Sequence, residues 1–279
     1  MKWTSISKSR QILWAMGLIL VGILINIIPS KIVLFFDIPI FADSIGTILA
    51  AMLGGTLPAV IVGFFSNAFN GISDLTTLYY GIISILIGVA ATQFQQRGYF
   101  RSALKACITV IAFAALGGIL GSILTYFLYG YDFGEGISAP FSIAIHNNLG
   151  FSKFFAQLTA DFVIDIIDKS IVVAIAIIAH RKIPLKLKHL YSHVFLFDPN
   201  LAEHMRQIGS YHIKRSLLRK VVFIVIIAEI LLGALASITG FVLYRQVSIG
   251  KFVDIAHGLT EAASVAIDAD RVDEFIAEG

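Results

Sequence analysis

At 279 residues, with 57% hydrophobic and 14% charged residues and a mean hydropathy of +0.86, the chain is too apolar for an ordinary soluble domain. The formal net charge of +3 hides an uneven distribution, and the basic stretch at 181–220 abuts a membrane helix, so lipid is favoured over nucleic acid as its partner. The single cysteine, Cys107, excludes an internal disulfide.

A spanning helix takes about 20 mostly apolar residues. The sequence predicts seven spans, at 12–29, 41–55, 57–70, 78–95, 105–129, 155–179 and 221–244. The predicted fold class is therefore an all-α polytopic membrane protein, a six-helix bundle plus a seventh transmembrane helix. The first span lacks a small-residue cleavage site and is followed by more membrane, so it is not read as a signal peptide. The second and third are short and joined by Leu53-Gly54-Gly55-Thr56-Leu57-Pro58, which predicts half-buried or tilted helices. Four segments result: a bundle over 1–180, a basic connector over 181–220, the seventh helix over 221–246 and an outer segment over 247–279.

Lys2, Lys8 and Arg10 stand before the first span without an acid, and Arg97, Arg101 and Lys105 form a purely basic loop. The connector carries nine Lys or Arg against Asp198 and Glu203, whereas 247–279 carries seven acids against Lys251 and Arg271. Basic loops mark the cytoplasmic side. Seven crossings starting inside put every basic segment inside and 247–279 outside. His189, His193, His204 and His212 lie on the connector without cysteines or clustered carboxylates. Contact with anionic lipid headgroups suits that segment better than a metal site.

The sixth span carries the most informative pattern. Gln157, Asp161, Asp165, Asp168 and Lys169 fall on one helical face among Ile, Val, Ala and Phe. Charges at bilayer depth face a bundle interior or a water-filled pocket and pair with something. From Lys153, Asp161 is roughly 12 Å deep and Asp168 roughly 22 Å, at about 1.5 Å per residue. Asp161 and Gln157 are thus ligand candidates. Asp165, Asp168 and Lys169 read as a structural ion pair, with Asp165 and Lys169 at the favourable i, i+4 spacing.

The seventh helix holds Glu229 and two small-residue patterns, Gly233-x-x-x-Ser237 and Ala236-x-x-x-Gly240, which suit either homodimerisation or packing on the bundle. Beyond it, Phe252, Ile255, Leu259, Ala262, Ala266 and Ile267, then Val272, Phe275 and Ile276, recur at helical spacing. Such a tail cannot build a core alone, and the reading is that the chain is the front part of a longer protein. No phosphate-cradling glycine loop, metal cluster at ligand spacing or nucleophile with a recognisable base is present. No catalytic residue, metal or cofactor is therefore expected within these residues.

The stretch FADSIGTILAAMLGGTLPAVIVGFFSNAFNGIS at Phe41–Ser73, then YYGIISILIGVAATQFQQRGYF and LTADFVIDIIDKSIVVAIAIIAHRKIP, resembles the substrate-binding S component of energy-coupling-factor (ECF) transporters over residues 12–190. The resemblance implies a six-helix bundle with an outward pocket for a small polar or vitamin-like solute. Carried onto this sequence, its candidate pocket residues are Asp37, Asp43, Asn67, Asn70, Asp74, Tyr79, Tyr80, Asp132, Glu135, His146, Asn147 and Asn148. Competing structural roles are a helix cap for Asp74 and inter-helix bonds for Asn67 and Asn70.

Two departures from that family matter. Its first helix presents an Ala-x-x-x-Ala surface to the coupling subunit, whereas here Ile19 follows Ala15 at the second position. The chain also continues past the sixth span, with a tail that resembles the first helices of extracytoplasmic sensor domains of bacterial signalling proteins. The expected function is therefore a solute-binding sensor module at the front of a signalling receptor whose output is a kinase, cyclase or phosphatase. The alternative is a transport S component, and a third reading is a membrane anchor.

Overall fold

The structure is a computed structural model that describes residues 8–194, 211–266 and 276. It is all-helical, with no strand among the described residues. Four helices are long and apolar enough to cross a membrane: Leu13–Phe35, Leu75–Gln96, Ala103–Leu128 and Arg219–Val242. The chain divides into two compact units, Met1–Leu232 and Gly233–Gly279.

In the first unit, α1 (Lys8–Phe35) is followed by a non-helical segment and then by two short helices, α2 (Ile45–Gly54) and α3 (Thr56–Asn70). Gly55 joins them at φ 81°, a left-handed conformation that a side chain would disfavour. A 3-10 turn, Leu75–Tyr80, leads into α4 (Gly81–Gln96). Helix α5 spans Ala103–Leu128 and contains a π turn at Ala115–Ile119. Then come α6 (Ala139–Leu149), α7 (Lys153–Lys182) and α8 (Leu185–Val194), with α9 assigned to Tyr211–Ala266.

The segments expected as second and third spans are helical but shorter than an ordinary spanning helix. Ten residues of α2 rise about 15 Å, half of a hydrocarbon core of about 30 Å. All ten are buried. Helices α1, α3, α4, α7 and α8 surround α2, so it meets protein where an ordinary span meets lipid. Around it lies the main apolar core, with Ile48, Met52, Ile87, Phe113, Val172 and Val173.

Helix α7 is long enough to span, at 30 residues, but its charges remove it from the apolar set. Its polarity is inverted relative to a soluble helix. Val163, Ile167, Ile171, Ile175 and Ile178 point outward, while the charged stripe is buried. That is the arrangement expected when the outer solvent is lipid.

The connector is partly docked. On α8, Tyr191 packs against the cluster of Leu18, Leu49 and Leu53, and its ring stands edge-on to Trp14 at 6.5 Å. Residues 195–210, including His204, lie outside the described residues.

The second unit is described by the part of α9 from Gly233 onward. Leu235, Ile238, Phe241 and Val242 are exposed on it, as are Phe252, Ile255 and Leu259 farther along. The helical reading of the tail holds through Ala266, and Val272 and Phe275 lie outside the described residues.

Candidate functional site

The stripe on α7 is buried throughout: Gln157, Asp161, Asp165, Asp168 and Lys169 are each at most 7% exposed. Three structural devices receive it, one at each level of the helix.

At the upper level, Gln157 and Asp161 join a polar chain. Ser122 Oγ on α5 donates to Asp161 Oδ2 at 2.7 Å, and Gln157 Nε2 donates to both Asp161 oxygens at 2.9 Å. Gln157 Nε2 also lies 3.0 Å from Ser138 Oγ, and Gly134 N–H donates to Gln157 Oε1 at 3.5 Å. The loop between α5 and α6 is thereby tied to the acid.

In the middle, the π turn of α5 meets the stripe. A Cβ on Gly117 would overlap the Asp165 carboxylate, and one on Gly118 would overlap the Phe162 backbone. The glycine pair lets α5 lie against α7 with no side chain between them. The π turn sits directly beside a buried acid, and such turns occur frequently at functional sites.

At the lower level lies the segment between α1 and α2. Asp168 Oδ1 accepts from Ala42 N–H at 2.7 Å and from Phe41 N–H at 3.1 Å. Ala42 is held at φ 51°, which costs a non-glycine residue of order 1 kcal/mol and persists only when neighbours fix it. Lys169 Nζ contacts three carboxylates: Asp168 at 2.6 Å, Asp165 at 3.4 Å and Asp43 at 3.6 Å. It also sits 6.0 Å from the centre of the Phe41 ring. Asp43 is the accessible member of this group, at 37% side-chain exposure.

Asn26 was not recognised from the sequence. It is 1% exposed in the middle of α1. Its Oδ1 accepts from Gly46 N–H at 2.6 Å and Thr47 N–H at 3.3 Å, while Nδ2 donates to Thr47 Oγ1 at 2.9 Å and Ser66 Oγ at 3.0 Å. The N-cap residue Ser44 makes no side-chain cap bond, so Asn26 satisfies the first N–H groups of α2 from a neighbouring helix. The available signal was one amide inside the apolar run Ile23–Ile28.

The remaining sequence candidates fall into separate places. Asp74 Oδ1 accepts from Thr76 N–H at 2.9 Å and Thr76 Oγ1 at 2.6 Å, a cap on the 3-10 turn. Asn67 Nδ2 donates to Ser84 Oγ at 2.7 Å and Gly63 O at 3.0 Å, the inter-helix bond expected. Tyr80 OH pairs with Thr125 Oγ1 at 2.7 Å. His146 Nδ1 lies 2.5 Å from the Phe151 carbonyl, which makes Nδ1–H the donor. Asp37, Glu135, Asn147 and Asn148 are exposed, Tyr79 is half-buried, and Asn70 Oδ1 is buried without a hydrogen-bond partner.

Asp132 pairs with Lys153 at 2.8 Å. The Lys153 hydrogen bond, helped by Phe133 N–H, holds the Asp132 carboxyl below the usual range. Nearby, burial and the Glu135 charge push the Tyr129 phenol up.

Along α7 the contacts form two groups, Gln157 with Asp161 and Lys169 with Asp43, Asp165 and Asp168, whereas the other sequence candidates make their contacts elsewhere. No group of three or more His, Cys, Asp or Glu could hold a metal ion among the described residues. Lys169 occupies the place between the acids that a cation would take. A cleft of about 270 Å³ opens elsewhere, between α4 and the π turn of α5. No family model, no curated protein and no solved structure matches the chain.

Proposed function

We propose that the chain is the membrane-embedded, solute-binding front end of a bacterial signalling receptor. In this reading, residues 1–180 form a six-span bundle of the S-component kind, with α2 and α3 as a short second and third crossing. The seventh crossing leads to an outer sensor segment, and an output domain follows. The observation that carries it is the Asp43–Lys169–Asp168 node. It joins an accessible acid, a buried ion pair and the backbone of Phe41 and Ala42. A polar solute at Asp43 would compete for Lys169 and loosen the 36–44 segment, giving the membrane domain two arrangements with different affinity for that solute.

Asp161 and Gln157 are the second contact of this proposed site, reached from the loop between α5 and α6. The acid stripe is needed for binding, and the long α9 gives the signal a route that a transport subunit does not require. The runner-up is a transport S component that docks with ATPase partners. Its support is the family resemblance over 12–190, against which Ile19 stands at the expected coupling surface.

The test is solute binding by the full chain in lipid nanodiscs, screened over small polar and vitamin-like compounds. Asp43→Asn and Asp161→Asn should each weaken binding of a hit while leaving monodisperse expression intact. A hit bound equally well by both variants rejects this site. ATP-dependent accumulation of that solute, in cells expressing the chain with coupling subunits, would establish transport in place of sensing.

A further inference from the structure

The cleft between α4 and α5 has a chemistry of its own. Leu86, Val89, Ala90, Gln93, Phe94 and Arg97 line it along one face of α4, and Leu116 of the π turn closes the far side. These α4 positions recur at helical spacing, so they form a continuous trough. From Leu86 to Arg97 the trough runs about 16 Å, at 1.5 Å per residue. That matches one leaflet of a hydrocarbon core about 30 Å thick.

The wall is apolar at one end and cationic at the other. Arg97 stands at the mouth beside Gln93. Phe94 meets Tyr99 in a tilted contact at 5.1 Å between centroids, and Lys105 Nζ sits 5.8 Å from the centre of the Tyr99 ring. A second cation is thereby linked to the wall residue Phe94 through the Tyr99 ring. Arg101 lies on the same loop and is exposed. From residue 75 to residue 131 the sequence contains no Asp or Glu, and no carboxylate pairs with these three cations among the described residues.

We infer that this trough is a binding site for an anionic phospholipid. One acyl chain lies along Leu86, Val89, Ala90 and Phe94, and the phosphate meets Arg97 and Lys105. A zwitterionic lipid fills the apolar part equally well but brings a compensating ammonium to the cationic mouth. Selectivity for net negative charge therefore comes from the headgroup end, and the requirement for a chain comes from the trough. The π turn contributes shape, because Leu116 lies on its widened backbone and faces α4 across the cleft.

The experiment uses the full chain purified into nanodiscs of phosphatidylcholine mixed with phosphatidylglycerol, with co-retained lipid counted by native mass spectrometry. Phosphatidylglycerol should be retained over phosphatidylcholine. Its retention should fall about fivefold for each of Arg97→Gln and Lys105→Gln, the factor equivalent to about 1 kcal/mol per basic residue near a membrane surface. Ala90→Phe fills the trough without touching a charge and should abolish retention while Arg97 and Lys105 remain. Equal retention of the two lipids, or unchanged retention in the charge variants, overturns the proposal. So does full phosphatidylglycerol retention by a folded Ala90→Phe variant, which would reduce the effect to loose attraction by the basic loop. A disulfide between copies through Gln93→Cys, in a Cys107→Ser background, would assign the trough to a second copy of the chain and equally overturn it.

Discussion

Lys169 Nζ lies 2.6 Å from Asp168 and 3.4 Å from Asp165, so the sequence-adjacent acid is its main partner and the i, i+4 acid is secondary. Helical spacing alone favours Asp165. The reversal follows from Asp168 Oδ1, which the Phe41 and Ala42 N–H groups hold in place while Oδ2 reaches the ammonium. Asp168→Asn should therefore cost the protein about 3–5 kcal/mol, the usual penalty for stranding one member of a buried pair. Asp165→Asn should cost about 1 kcal/mol, an ordinary hydrogen bond, because it also removes one of three like charges. Thermal unfolding in detergent checks the order. A larger loss for Asp165→Asn would return the main pairing to the helical register.

Gly117 and Gly121 sit one turn apart on α5 and should respond differently to alanine. At Gly117 the added methyl overlaps the Asp165 carboxylate, whereas at Gly121 it makes only ordinary contact with Ile83. Gly117→Ala should destabilise by about 1–3 kcal/mol, as overpacking does in a filled core. Gly121→Ala should stay within about 0.5 kcal/mol. Melting temperatures of the two variants provide the comparison, and equal values would mean that α5 does not press on the stripe.

The apolar runs at 78–95 and 105–129 predicted α4 and α5 closely, and the run at 12–29 located α1, which continues to Phe35, because lipid-facing helices must be apolar along their length. The stripe on α7 was equally readable, since five polar side chains at helical spacing have no other economical explanation. What the sequence did not reveal was depth. Residues 41–44 read as the start of the second span, yet they are non-helical, and Phe41 and Ala42 give their N–H groups to an acid at the centre of α7. That placement depends on Asp168 and Asn26 substituting for missing backbone partners, and both contacts join residues far apart in the chain. Helix α6 and the π turn were missed for a similar reason: neither changes the local hydropathy.

The ion pair of Asp132 and Lys153 gives a pH dependence with a definite sign. Its carboxyl is depressed in the folded state, so its contribution is present above the ordinary carboxylate range and is lost as pH falls through the folded value. Both groups are solvent-exposed, which limits the effect and makes it sensitive to salt. Wild type should melt slightly higher than Asp132→Asn at neutral pH in low salt. The gap should close on acidification and also in 1 M salt, where the screening length is about 3 Å. A gap that persists under either condition would mean that the ion pair with Lys153 is not its source.

The proposed topology has an accessible test. With Cys107→Ser as background, single cysteines introduced at positions 200 and 256 should differ in reactivity toward an impermeant maleimide in intact cells. Position 256 should label and position 200 should label only after lysis, because basic connectors stay on the cytoplasmic side. Labelling of position 200 in intact cells would invert the whole arrangement, including the outward access proposed for Asp43.

Asn26 should be the most sensitive uncharged position in the bundle. Its side chain serves four groups at once: the Gly46 and Thr47 N–H groups at the start of α2, and the hydroxyls of Thr47 and Ser66. Replacing it by alanine leaves two buried N–H groups without an acceptor, each costing about 1–3 kcal/mol. Water cannot easily replace the lost acceptor, because Gly22 and Gly46 are in direct backbone contact beside it. Asn26→Ala should therefore lower stability by several kcal/mol and release α2 before the rest of the bundle. Asn26→Asp keeps an acceptor for both N–H groups, and the two hydroxyls can turn to donate to it, so this variant should lose less despite its buried charge. Hydrogen exchange at residues 45–48 reads the local effect directly. Faster exchange there in Asn26→Ala than in Asn26→Asp is the expected result, and equal exchange would mean that α2 is held by apolar packing alone.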